Sequence, residues 1–260
     1  MARLSLRFLA LGYLAVLLVV PVGVVFYRTF EDGVGAVWES ITTPAAISAF
    51  WLTIEVAAIA VPLNAIFGVL AAMALVRGRF RGKRVLDALI DLPFAVSPVV
   101  VGLALLLVFG VNGWFGGLGV QVIFSLPGIV LATIFVSLPF VAREVAPVLR
   151  EIGDEQEQAA ATLGANGWQT FRRVTLPAIR WGLIYGIVLA TARAIGEFGA
   201  VSVVSGKIAG ETETLTLLVE KRFQNFDLAG AYAASALLAV IALVTLVSMT
   251  LLNKRREDTT

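Results

Sequence analysis

The chain has 260 residues, of which 59% are hydrophobic and only 15% charged, and its formal net charge is +2. Soluble domains average about 45–50% apolar and about 25% charged residues, so the composition excludes a soluble globular protein and indicates a single membrane domain over residues 1–260. The small net charge argues against a nucleic-acid partner, and the absence of cysteine and histidine excludes a disulfide framework and the commonest metal ligand and general base.

Six stretches are long and apolar enough to cross a bilayer, which takes about 20 mainly apolar residues in a helix. The first is too long for a signal peptide and is not followed by a small-residue cleavage site, so we expect it to be retained. We expect all six spans to be surrounded by membrane lipid. The sequence predicts transmembrane helices at about 8–27, 50–75, 88–110, 122–142, 178–204 and 229–252.

The orientation follows from the distribution of Lys and Arg, which concentrate in the cytoplasmic segments of membrane proteins. Most of the 20 Lys and Arg residues fall on one side if both termini are cytoplasmic. They precede the first predicted span, occupy 77–84, lie between 143 and 180, and follow the last span. The expected fold is therefore an all-α integral membrane protein with six transmembrane helices and both termini in the cytoplasm.

Several catalytic and nucleotide-binding motifs are absent from the sequence. A phosphate-binding loop needs G-x-x-x-x-G-K-[ST], and the nearest approach, Gly206-Lys207, is followed by Ile208. The sequence also lacks H-E-x-x-H and G-x-S-x-G, which carry zinc-protease and serine-hydrolase chemistry. We therefore expect no enzyme activity, no metal and no cofactor in this chain.

The loop between the fourth and fifth predicted spans contains the chain's longest polar stretch. Its first part, "DEQEQAAATLG", predicts a short helix with acidic residues in the first turn and Gly164 at the C-terminal end. Asn166 then has the position of an N-cap, with Gln169 as its reciprocal partner. Pro177 is expected to open the fifth span. The sequence thus predicts two short helices that meet at a glycine.

Two interpretations of this loop follow from the residues alone. Trp168 and Phe171 are three apart and share a helix face, so they could form an aromatic ridge that enters a groove on another protein. Alternatively, the helix could lie on the membrane surface with Arg172 and Arg173 against lipid phosphates. The residues by themselves leave both possibilities open.

A family resemblance bears on this choice. The pair Ala159-Ala160, then Gly164, then nine residues and Val174-Thr175-Leu176-Pro177, resembles the pattern E-A-A-x3-G-x9-I-x-L-P in the coupling loop of ABC-importer permeases. The glutamate of that pattern falls on Gln158, although Glu155 and Glu157 lie beside it. The resemblance implies a cytoplasmic coupling loop at 154–177 that docks an ATPase through Gln158, Ala159, Ala160, Gly164, Trp168, Phe171, Leu176 and Pro177.

Two further stretches, "DLPFAVSPVVVGL" (91–103) and "ARAIGEFGAVSVVSGKIAGET" (192–212), resemble the W-type permeases of sulfate and thiosulfate importers. The resemblance implies the type I ABC-importer permease fold, with its core at 45–252, in the bacterial cytoplasmic membrane. It also implies a second, T-type permease subunit, two ATPase subunits that use the ATP, and an extracytoplasmic sulfate-binding protein. Molybdate permeases share much of this pattern, so a molybdate-type oxyanion permease is the alternative.

Candidates for contact with a passing anion are few. Arg193 lies within a predicted span, where an arginine costs about 2.5–3.5 kcal/mol on insertion scales and calls for a partner or a pathway. The partner could be Glu197, one turn further along, or Glu55 on the second span. Ser97 could contribute a hydroxyl group. A structural ion pair and an anion path are both compatible with these residues.

Other classes of transport protein fit six predicted spans as well. A secondary transporter or a channel would work without an ATPase, but the internal repeat common in secondary transporters is not evident, and the polar loop would have no task. A third possibility is a scaffold subunit that binds the ATPase while its partner permease lines the path.

Overall fold

The structure is a computed structural model that describes residues 9, 11–119 and 121–257, so the first residues of the predicted 1–260 domain lie outside the described part. Every regular element within these residues is helical, which confirms the all-α fold class. In chain order the helices are α1 (Leu11–Phe30), α2 (Gly33–Ile41), α3 (Pro44–Arg77), α4 (Lys83–Ala95), α5 (Pro98–Phe109), α6 (Leu126–Glu151), α7 (Glu155–Thr162), α8 (Gly167–Ile195), α9 (Val201–Val204), α10 (Leu215–Gln224) and α11 (Leu228–Glu257).

Among the described residues, five helices are long and apolar enough to cross a membrane, and α4 with α5 could supply a sixth span. The third predicted span, at 88–110, is broken in the structure, because α4 and α5 meet at an angle of 110°. Pro98 disfavours helical geometry in the residue before it, and both Val96 and Ser97 adopt extended backbone conformations. Two extended residues between the helices therefore turn the chain.

The fourth and fifth predicted spans also have different limits. Helix α6 continues to Glu151, nine residues beyond the predicted end at 142, and carries Pro139 and Pro147 in its interior. Helix α8 ends at Ile195 instead of 204, and a non-helical break separates it from α9. The carboxylate of Glu197 accepts a hydrogen bond from the Ala200 N–H (2.8 Å) in this break, so a side chain replaces the missing helical partner.

At the centre of the molecule, α6 packs between α3 and α8. Small residues allow the close approach: a Cβ atom at Gly68 would lie 2.6 Å from Val141 Cβ, and one at Gly186 would lie 2.9 Å from Val141 Cα. Gly182 similarly faces Val148, so the Gly182–Gly186 pair makes the close helix crossing expected of a GxxxG sequence. Helix α11 packs on α8 and α10, and α1 and α2 pack on α11.

Candidate functional site

The predicted coupling loop begins with α7, which ends in a Schellman motif. The Gly164 N–H donates to Ala161 O (3.0 Å), and the Ala165 N–H donates to Ala160 O (3.0 Å). This motif requires a left-handed residue, and Gly164 has φ +85° with open space where a Cβ would lie. The glycine is therefore needed for its backbone conformation and not because a neighbour would collide with a side chain.

The second short helix is continuous with the fifth span, which corrects the prediction that Pro177 opens that span. Asn166 caps α8: its side chain accepts from Gln169 N, and Gln169 accepts from Asn166 N, both at 2.9 Å. Leu176 and Pro177 lie further along the same helix, after a π-helical segment at Phe171–Thr175. A proline inside a helix clashes with the carbonyl four residues earlier, and the wider π segment accommodates it.

The exposed surface of the loop differs from the predicted aromatic ridge. The rings of Trp168 and Phe171 stack with centroids 5.6 Å apart, but Phe171 is half-buried against the core cluster of α3, α6 and α8. Trp168 is 68% exposed, and Leu163, which the sequence analysis did not single out, is 89% exposed. Of the other predicted docking residues, Gln158 and Ala159 are exposed and Ala160 is half-buried.

An ion pair that the sequence analysis missed fixes this loop to the core. Arg77, at the end of α3, places its Nε 2.8 Å from Glu157 Oε2 and donates through Nη1 to Leu149 O (3.0 Å). Thr175 Oγ1 donates to Glu157 Oε1 (2.8 Å). Glu157 is thus committed to internal partners, whereas Glu155 remains exposed. The one feature of the sequence that pointed to this ion pair was an acidic residue in the first turn of α7.

The second candidate site lies at the end of α8. Arg193 Nη1 is 2.6 Å from Glu197 Oε2, and the arginine side chain is 32% exposed whereas that of the glutamate is 1% exposed. The other Glu197 oxygen accepts from Ala200 N, and Thr216 Oγ1 donates to the Glu197 carbonyl (2.9 Å). The carboxylate is therefore immobilised by its surroundings, and it holds the guanidinium of Arg193 from one side.

Neither of the other two candidates forms a hydrogen bond or an ion pair with Arg193 or Glu197 within the described residues. Glu55 is exposed and forms no ion pair or hydrogen bond through its side chain within the described residues, so the alternative pair of Arg193 with Glu55 is not formed. Ser97 is exposed at the bend between α4 and α5. That bend packs against the break after α8, because a Cβ at Gly199 would lie 2.9 Å from Pro98 Cβ. The two interruptions are thus neighbours.

The chemistry available at this pair of breaks is anion binding. An arginine carries five N–H donors, and Glu197 is the one described side chain that pairs with Arg193. The remaining N–H groups of the partly exposed guanidinium can donate hydrogen bonds to the oxygens of an oxyanion. Because the buried carboxylate balances the positive charge, the arginine can stay in an apolar setting while no anion is bound.

Comparison with known proteins assigns this architecture to a family. Residues 64–258 match the family described as "Binding-protein-dependent transport system inner membrane component". The chain is 51% identical over 251 residues to the sulfate transport system permease protein CysW of Synechocystis, covering 95% of this chain and 91% of that protein. It is 39% identical over 250 residues to the sulfate transport system permease protein CysT of Escherichia coli K12, covering 95% and 90%.

A solved structure shows the same fold. One chain in the crystal structure of a bacterial ABC transporter involved in the import of the acidic polysaccharide alginate superposes with a TM-score of 0.80, covering 100% of this chain and 96% of that one at 16% identity. Together, these matches favour an ABC-importer permease over a carrier or channel that works alone. The chain belongs to the family of inner membrane components of binding-protein-dependent transport systems.

Proposed function

We propose that this chain forms half of the membrane path of an ATP-driven sulfate importer. The proposal is supported by the relatives of the chain, which are sulfate transport system permease proteins of two kinds, and by the partly exposed Arg193 held against the buried Glu197. A path for a divalent oxyanion needs a positive charge that attracts the anion but does not bind it too tightly to release it. An arginine whose charge is balanced by a carboxylate meets both conditions. Molybdate has the same charge and is the alternative substrate.

The loop at 154–177 then docks one of two ATPase subunits, which supply the ATP hydrolysis. Leu163 and Trp168 offer the exposed apolar contacts, and burial of such side chains gives most of the binding free energy in helix-in-groove contacts. The Arg77–Glu157 pair (2.8 Å) connects this surface to α3 and α6. A displacement of the docked loop would therefore be transmitted to the core helices.

The orientation can be tested because the chain has no cysteine, so one introduced cysteine is a unique label site. Glu151 and Asn112 are both exposed, at opposite ends of the predicted topology. We expect Asn112→Cys to react with a membrane-impermeant maleimide in intact cells, and Glu151→Cys to react only after permeabilisation. The reverse labelling pattern would contradict cytoplasmic termini.

Substrate assignment calls for the reconstituted assembly: both permeases, two ATPase subunits and the extracytoplasmic binding protein in proteoliposomes. We expect binding protein loaded with sulfate to stimulate ATP hydrolysis and sulfate uptake above the level with unloaded binding protein. Binding protein supplied with thiosulfate or with molybdate in place of sulfate serves as the comparison. Stimulation by molybdate alone would overturn the sulfate assignment and favour the alternative.

The same preparation tests the T-type partner. Omitting the second permease should abolish uptake, because each chain then lacks the surface that completes the path. Full sulfate uptake by this chain with the ATPase and binding protein only would show a homodimer instead.

A further inference from the structure

A cavity of about 600 Å³ opens where α3 ends, α4 begins and α6 ends. Three basic residues, Lys83, Arg84 and Arg150, line it together with the apolar residues Leu75 and Phe80. It lies apart from the exposed docking residues Leu163 and Trp168 and from the Arg193–Glu197 pair, none of which lines it. No step of the proposed transport cycle uses these three cations.

The charge of this cavity is not balanced within the described chain. The side chains of Lys83, Arg84 and Arg150 form no ion pair with any described residue. The one acidic residue in the lining, Asp87, is occupied: its Oδ1 lies 2.8 Å from Nη2 of Arg143, which also pairs with Asp91 (2.6 Å). The cavity therefore has an excess of positive charge and room for an anionic group.

An apolar surface begins at the rim of the cavity. Val85 lines the cavity and is 62% exposed, and Leu89, one turn further along α4, is 56% exposed. Leu92, 41% exposed, continues the same face because residues three and four apart are neighbours on a helix. A ligand that satisfies both surfaces needs an anionic head and a long apolar tail.

We propose that this cavity binds an anionic phospholipid, with its phosphate among Lys83, Arg84 and Arg150 and its acyl chains along Val85, Leu89 and Leu92. Basic pockets between membrane helices bind anionic headgroups in this way, and each Lys or Arg near an anionic lipid contributes about fivefold to binding. The proposal depends on the proposed orientation only in placing the cavity at the inner leaflet. The maleimide experiment tests that orientation separately.

The test uses the purified complex in detergent, with phosphatidylglycerol binding measured by native mass spectrometry. The triple variant Lys83→Gln, Arg84→Gln, Arg150→Gln should bind this lipid about 100-fold more weakly, from about fivefold per cation. Phosphatidylcholine should bind weakly to both proteins. If the triple variant does not fold, Arg150→Gln alone should lower phosphatidylglycerol affinity about fivefold, whereas Arg150→Lys should retain it.

A matched control removes a cation outside the cavity. Arg180 is exposed and lies over the Trp181 ring, so Arg180→Gln should leave phosphatidylglycerol binding within about twofold of the parent. Two outcomes would overturn the proposal: unchanged lipid binding in the triple variant, with or without loss of the ATPase from the complex, or equal binding of glycerol 3-phosphate without acyl chains. Unchanged lipid binding together with loss of the ATPase would show that the cavity is a protein contact.

Discussion

Replacing Arg193 by methionine is expected to lower the yield of folded complex and to abolish most sulfate uptake. The substitution removes the charge that faces Glu197 at 2.6 Å and leaves a carboxylate that is 1% exposed without its counter-ion. Breaking a buried ion pair from one side typically costs about 3–5 kcal/mol, because the other charge is stranded. Arg193 is 32% exposed, so we expect the lower end of this range.

The double variant Arg193→Met, Glu197→Gln separates the structural role from anion binding. Glutamine keeps an oxygen that can accept the Ala200 N–H, a hydrogen bond of 2.8 Å in the parent, and removes the stranded charge. Assembly should therefore recover. If the guanidinium also receives the oxyanion, uptake should remain at least about tenfold low, while basal ATP hydrolysis resembles that of the parent.

The matched control for this experiment is an exposed pair of the same kind. Arg28 and Glu31 form an ion pair at 2.7 Å with side chains 51% and 44% exposed. Such pairs contribute about 0–1 kcal/mol, so Arg28→Met should change neither yield nor uptake appreciably. An Arg193→Met protein that assembled and transported like the parent would contradict both roles of Arg193.

Replacing Gly164 by valine is expected to weaken the association of the ATPase by at least about tenfold. Left-handed backbone costs an L-residue roughly 1–2 kcal/mol and a β-branched residue more, and Gly164 has φ +85°. The Schellman hydrogen bonds of Gly164 and Ala165 would be strained, and Leu163 and Trp168 would no longer present one surface. The measurement is the ratio of ATPase to permease after affinity purification.

Asparagine at the same position is the control, because it tolerates left-handed backbone and no atom lies within 4 Å of the Cβ position. Gly164→Asn should therefore bind the ATPase nearly as well as the parent. Trp168→Ala tests the surface itself and should weaken binding without unfolding the permease, since Trp168 is 68% exposed. Normal copurification of both Gly164→Val and Trp168→Ala would place the ATPase elsewhere.

Apolar runs and capping residues are local properties, and they were enough to predict most elements of this protein. Five of the six predicted spans correspond to long apolar helices and the third to the bent α4–α5 pair, because a bilayer leaves long apolar stretches few alternatives to a helix. The C-terminal cap of α7 at Gly164 and the reciprocal cap of Asn166 and Gln169 depend on residues at most five apart. The coupling-loop pattern lies in the same stretch, so neighbouring residues alone were enough to identify it.

The side chains that complete the candidate sites depend on contacts between distant residues. Glu157 turns inward because Arg77, 80 residues earlier in the chain, lies beside it, and no local pattern distinguishes it from Glu155. Phe171 is half-buried because the core cluster of α3, α6 and α8 accepts it. A periodicity of three identifies which residues share a helix face, but it does not say which neighbour that face meets.

The tertiary structure also decided where the spans are interrupted. Ser97 and Glu197 both lie in apolar stretches that read as continuous helices, and only the packing of one break against the other reveals both. Pro98 fills the space opposite Gly199, and Gly102 lies against the Ala200 carbonyl. A helix can end at such places because hydrogen bonds and packing from other elements replace those of the helix. These compensating contacts come from residues far away in the chain, so the local run of residues does not predict them.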